Sequence, residues 1–110
     1  MPLAGASGLG VCAMTFDNFT ASLTSATPPA GLPPLLLAMW HDAKGNWQLA
    51  HSLAQDVGDE DGAWVHAYLH RKEGDAANAG YWYHRAGMPA SAAPLKDEWE
   101  EIARSLLLRD

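Results

Sequence analysis

Apolar residues recur at helical spacing along most of the chain, and glycine or proline interrupts them at intervals. Phe16, Phe19 and Leu23 follow Thr15 at spacings of three and four residues, which predicts a short helix capped by Thr15. Five further helices are predicted over residues 34–44, 46–57, 63–73, 75–86 and from 94 to near the end. No stretch alternates apolar and polar residues as a strand does, so the pattern predicts an all-α fold.

A shift of 29 residues aligns the two helices of residues 34–57 with the two of residues 63–86. The aligned pairs include Gly45 with Gly74, Asn46 with Asp75, His41 with His70, and Ala50 with Ala79. A glycine that ends one helix, followed at once by an Asn or Asp cap for the next, suits a very short turn between helices. The repeat predicts two stacked antiparallel helical hairpins, flanked by a short N-terminal helix and a C-terminal capping helix.

The second copy of this repeat carries most of a recognisable pattern, namely Gly74, Asp75, Ala79, Tyr81, Trp82, Tyr83, Arg85 and Ala86. This pattern resembles the second helix of a tetratricopeptide repeat, and the resemblance covers residues 34–88. The period of 29 residues is shorter than the roughly 34 of that family, and there are two copies rather than three or more. The resemblance implies a non-enzymatic module that binds a protein or peptide on its concave side.

Stacked hairpins bring equivalent positions of their first helices onto one surface. The candidate partner-binding surface comprises Leu37, His41, Lys44, His66, His70 and Glu73. His66 and His70 lie on the helix face opposite Trp64 and Tyr68, so we expect them to be exposed to solvent. This interpretation assigns no catalytic residue, no cofactor and no metal.

Two other functions stay open. His66, His70 and Glu73 share one side of a helix and could ligate zinc, so a small metal-binding protein or enzyme using these residues with His41 is the second hypothesis. His51 and His84 have no evident partner in the sequence. The third hypothesis is a self-associating structural protein that forms a homodimer.

Composition narrows the range of partners. The chain has 13 acidic and 7 basic residues, a net charge of -6, which argues against nucleic acid. No apolar run approaches the roughly 18 residues of a membrane span. Cys12 is the only cysteine and predicts a reducing, cytoplasmic location. Residues 1–13 are expected to form a flexible tail before a single domain of residues 14–110, with Met14 as an alternative natural start.

Overall fold

Six α-helices joined by short connections make up residues 14–109, the part of the chain that this computed structural model describes. The helices are α1 (Phe16–Ala21), α2 (Pro34–Ala43), α3 (Trp47–Gln55), α4 (Glu60–Glu73), α5 (Ala76–Ala86) and α6 (Leu95–Arg109), with a 3-10 turn at Ser22–Thr24. The described residues contain no strand, so the predicted all-α class is confirmed. The predicted tail lies outside the described residues.

Helix α4 begins three residues earlier than its apolar pattern predicts. The Asp59 side chain accepts a hydrogen bond from the Gly62 backbone N–H at 2.8 Å and acts as the N-cap. The predicted start of this helix at residue 63 is therefore wrong, because an Asp cap can start a helix before its apolar residues begin. Gly62 suits this turn because a Cβ at this position would collide with the Val57 carbonyl oxygen.

The turns of the two hairpins are close copies of each other. Gly45 and Gly74 have backbone φ angles of +87° and +93°, a left-handed conformation that glycine adopts without steric cost. Asn46 and Asp75 cap the following helices, and each side chain accepts the backbone N–H three residues on at 3.2 Å. The backbone N–H of each cap residue bonds to the carbonyl five residues earlier at 2.9 Å. The aligned turn residues of the sequence thus form matching turns between α2 and α3 and between α4 and α5.

Helix α4 is the central element of the domain. It contacts α2, α3, α5 and α6, and all nine residues from Gly62 to His70 are buried. A helix surrounded on all sides is usually apolar all round. Helix α4 instead carries polar side chains on two of its faces.

One side of α4 is held by the buried carboxylate of Glu98, which is 1 % exposed and belongs to α6. Glu98 accepts hydrogen bonds from Trp64 Nε1 at 3.3 Å, from Arg71 Nη1 at 2.8 Å and from the Tyr83 hydroxyl at 2.6 Å. These donors come from α4 and α5, so one carboxylate connects three helices.

The same side of α4 also contacts a second buried carboxylate, Asp42 of α2. Asp42 accepts hydrogen bonds from the Tyr68 hydroxyl at 3.1 Å and from Lys72 Nζ at 2.9 Å. Burial, together with the charge of Asp42, raises the pKa of Tyr68 well above its usual range. We refer to Asp42, Glu98 and their donors as the carboxylate side.

Helices α1 and α6 complete the core. Phe19 of α1 stacks on Trp99 of α6 with ring centroids 5.9 Å apart, and Trp99 donates its indole N–H to the Met39 carbonyl at 3.0 Å. Ile102 and Leu106 of α6 are buried, whereas Leu95 is 36 % exposed. None of the helices in the described part of the chain is both long enough and apolar enough to cross a bilayer.

Candidate functional site

Three histidines meet on the side of α4 that faces away from the buried carboxylates. His66 and His70 belong to α4 and are buried, and His51 of α3 is half-buried. One ring nitrogen from each residue lies within 4.8 Å of the other two. We refer to His51, His66 and His70 as the histidine site.

The rings of the histidine site are in direct contact. The Nε2 atoms of His51 and His66 are 2.9 Å apart, so one of them carries a hydrogen and donates it to the other. The His66 and His70 rings are nearly parallel, with centroids 4.8 Å apart, and the His51 and His70 centroids are 5.2 Å apart. The three imidazoles therefore surround a single small volume.

The positions of these residues relative to the turns explain why they meet. His51 lies seven residues before Gly58 and His66 lies eight after it, so the two face each other when α3 turns back into α4. His70 lies four residues after His66, one helical turn along the same face. The α3–α4 connection therefore brings His51 onto the pair of histidines.

Each histidine is held by a second side chain. Trp47 stacks on His51 at 4.9 Å and donates its indole N–H to the Leu69 carbonyl at 2.8 Å. Trp82 of α5 stacks on His66 at 4.0 Å.

The third histidine is held by a carboxylate. His70 Nδ1 lies 2.7 Å from Glu73 Oε2, so an Nδ1 hydrogen donated to Glu73 leaves Nε2 of His70 with a free lone pair. The three rings are thus oriented by their surroundings as well as by one another.

The electrostatics of the histidine site disfavour protonation. Burial, followed by the charges of His51 and His70, lowers the pKa of His66 to about 4. Burial and the charge of His70 also lower the pKa of His51, although Glu73 acts in the opposite direction. His66 is therefore neutral at neutral pH, and its ring can offer a lone pair.

Two of the six residues predicted to share one exposed surface are buried. The expectation that His66 and His70 are solvated is wrong, since they are only 6 % and 7 % exposed. The reason is that α4 packs against neighbours on every side, so the face opposite Trp64 contacts α3 and α5 rather than water.

The remaining predicted residues are found in different surroundings. Lys44 Nζ bonds to the carbonyls of Leu23 and Ser25 at 2.7 and 3.0 Å, so it contacts the segment after α1. His41 is half-buried with its ring against Trp40, and it is not one of the three histidines whose nitrogens converge. Leu37 is also half-buried, and Glu73 is exposed and contacts His70.

His51 is the site residue that the sequence reasoning missed. The 29-residue repeat aligns it with Gly80, so the repeat offers no histidine partner. Its position relative to Gly58 was the available signal, because residues equally far from a turn face each other in a helical hairpin.

Two cavities are relevant to the choice of site. A cavity of about 460 Å³ adjoins the histidine site, lined by His66, Trp82 and Arg85 together with Gln55, Val57, Gly58, Asp59, Glu60 and Ala63. A smaller groove of about 230 Å³ between α2 and α6 is mainly apolar, with residues such as Pro34, Leu36 and Leu106. Only the first adjoins a cluster of groups that can coordinate or react, so it is the one associated with the candidate site.

Comparison with known proteins yields no match: no family model fits the chain, and no curated protein or solved structure is similar to it.

Proposed function

We propose that this domain binds a divalent transition-metal ion, Zn²⁺ foremost, through ring nitrogens of His51, His66 and His70. The observation that carries the proposal is the convergence of three ring nitrogens within 4.8 Å of one another. Imidazole is a preferred ligand of zinc, copper and nickel, and two histidines four residues apart on a helix form a common half of a zinc site.

The distances suit this ion after a small adjustment. In a tetrahedral site with Zn–N bonds of about 2.0–2.1 Å, neighbouring ligand nitrogens are about 3.4 Å apart. The Nε2 atoms of His51 and His66, at 2.9 Å, would separate slightly, and other pairs that are up to 4.8 Å apart would approach by side-chain rotation. A metal ion would lie where these two nitrogens now share a single hydrogen, and the ring that carries this hydrogen would hold it on Nδ1 instead.

The surroundings of the site support the same function. Glu73 holds His70 in the way that carboxylates commonly orient histidine ligands, through the ring nitrogen that does not bind the metal. Trp47 and Trp82 stack on the other two rings and limit their rotation. Ligands held in this way lose little freedom on binding an ion, which favours affinity.

The direct test is titration of the full chain with Zn²⁺ after treatment with a chelator. We expect one ion per chain by calorimetry. We also expect a change in tryptophan fluorescence, because Trp47 and Trp82 contact two of the ligand rings. At free Zn²⁺ 100 times the dissociation constant, the free energy of unfolding should rise by about 2.7 kcal/mol, which raises Tm by roughly 10 °C or more.

A pair of matched variants makes this test specific. His51→Gln removes one ligand and should abolish the fluorescence change and the rise in Tm. His84→Gln makes the same chemical change at an exposed position of α5 outside the site and should behave like the unmodified chain. Equal zinc affinity in the two variants would contradict the proposal.

The matching turns support a more detailed architectural proposal. Since Gly45 and Gly74 adopt the same conformation and precede equivalent caps, we propose that the two hairpins are divergent tetratricopeptide-like repeats. A protein or peptide partner for such a module stays a prediction. An experimental structure in which the two hairpins fail to superpose would contradict the repeat.

A further inference from the structure

The histidine site supplies three ligands rather than four. Among residues 14–109, no fourth histidine, cysteine, aspartate or glutamate atom joins the three nitrogens within 4.8 Å. The carboxylate of Glu73 contacts His70 Nδ1 at 2.7 Å and so serves to orient that ring. Structural zinc sites have four protein ligands, whereas sites with three keep a position for water or another ligand.

The cavity beside the site provides space for such a ligand. It is bounded by the end of α3, the start of α4 and the end of α5, and His66 and Trp82 form the part that adjoins the site. Its volume of about 460 Å³ lies within the roughly 300–1,000 Å³ typical of small-molecule sites. His66 therefore belongs both to the histidine site and to the lining of this cavity.

The charges of the cavity lining depend on the metal. Arg85 is the cation of the lining, and Asp59 and Glu60 are its anions, so the lining has a net charge of -1 with histidine neutral. A divalent ion bound at the histidine site would change the net charge of the lining and ion together from -1 to +1. The guanidinium of Arg85 is held in place over the Trp82 ring at 5.4 Å and by the Tyr81 hydroxyl at 2.9 Å. The loaded cavity thus attracts anions, whereas the metal-free cavity repels them.

Building on the proposed function, we infer that the bound metal keeps one coordination position open to the cavity, where small ligands with an anionic oxygen or nitrogen donor replace a water molecule. The metal supplies the bond to the donor atom. The cavity supplies the space, and Arg85 contributes part of the positive potential. Anion binding at this site is therefore strictly dependent on the metal.

The experiment uses the full chain loaded with Co²⁺, whose visible absorption reports the ligands of the ion. Azide is the smaller probe and requires only an open position, and acetohydroxamate is the larger and requires the cavity as well. We expect each probe to shift the spectrum in a saturable way. We expect Arg85→Gln to weaken the binding of both probes by about three- to tenfold without changing the spectrum before the anion is added.

The control is Lys96→Gln, which makes the same change in net charge at a side chain that is 89 % exposed and outside the cavity. Its affinity for azide should equal that of the unmodified chain. If saturating azide leaves the cobalt spectrum unchanged, the coordination sphere is closed and this inference is overturned while metal binding stands. Equal anion affinities in R85Q and K96Q would overturn the role of Arg85. A chain that gives no cobalt spectrum at all would overturn both this inference and the proposed function.

Discussion

The carboxylate side and the histidine site lie on different sides of the same buried helix, and they differ in how their polar atoms are satisfied. On the carboxylate side, Glu98 and Asp42 each accept hydrogen bonds from several donors, two of which are the cations Arg71 and Lys72. In the histidine site, two ring nitrogens share one hydrogen, and the third ring contacts the exposed carboxylate of Glu73.

This difference distinguishes a cluster of side chains that stabilises the fold from a cluster that can bind a ligand. A buried charge with a full set of partners stabilises the packing of the helices that supply them, and it has no capacity left for a ligand. Three imidazoles with convergent ring nitrogens have such capacity. The comparison therefore assigns stability mainly to the carboxylate side and ligand binding to the histidine site.

The largest effect is expected on the carboxylate side. Glu98→Ala leaves Arg71 and the Tyr83 hydroxyl without their common partner, and breaking a buried ion pair in this way costs about 3–5 kcal/mol. Equilibrium urea unfolding should show this loss. Glu100→Ala removes an exposed ion pair with Arg104 and should cost less than about 0.5 kcal/mol. Similar losses in the two variants would mean that Glu98 has no special structural role.

A smaller effect is expected from pH in the metal-free chain. The pKa of His66 is about 4 in the folded state and about 6.5 in the unfolded state. Between pH 4 and pH 6.5 the unfolded chain binds more protons than the folded chain. The contribution of His66 to the free energy of unfolding is therefore at its full value above pH 6.5 and falls as the pH is lowered toward 4. We expect the protonation of this residue to lower the free energy of unfolding by about 2–3 kcal/mol. The groups that face it are His51, His70 and Trp82.

The contribution of His66 can be isolated by comparison with a variant. Urea unfolding at several pH values, with a chelator present, should show a shallower decline for His66→Gln than for the unmodified chain between pH 6.5 and 4. Parallel pH profiles for the two chains would show that His66 titrates normally and is not shielded by α3 and α5.

The smallest effect is expected for His51→Gln in the absence of metal. His51 is half-buried and loses one hydrogen bond to His66, so the free energy of unfolding should fall by less than about 1 kcal/mol. The same variant should lose the stabilisation by zinc altogether. A metal-free loss as large as that of Glu98→Ala would place His51 among the structural residues and remove the contrast between the two sides.

Local signals in the sequence were sufficient for most of the helix ends and for the two glycine turns. Gly45-Asn46 and Gly74-Asp75 form the turns that their types predict, because glycine tolerates a positive φ and a short polar side chain caps the next helix. Thr15 likewise caps α1, accepting the Asn18 backbone N–H at 3.0 Å. The start of α4 was predicted too late, because the apolar pattern begins after the cap at Asp59.

The candidate site was predicted only in part. The spacing of His66, His70 and Glu73 brought those three together on one side of a helix, and the structure keeps them together. Their exposure was predicted wrongly, since a helical wheel describes faces and not which neighbour covers each face. The repeat alignment placed His41 in the predicted surface. His51 was missed because its contact with His66 joins α3 to α4, which belong to different copies of the aligned sequence.

The sequence by itself determined the helical class and the positions of the turns after Ala43 and Glu73, because caps, glycine stops and apolar spacing act within a few residues. The tertiary structure alone decided that α4 lies at the centre, that Asp42 and Glu98 are buried, and that His51 completes the histidine site. These depend on which helix faces pack together. That choice is made by contacts between residues 15 to 34 positions apart along the chain, where spacing within one helix carries no information.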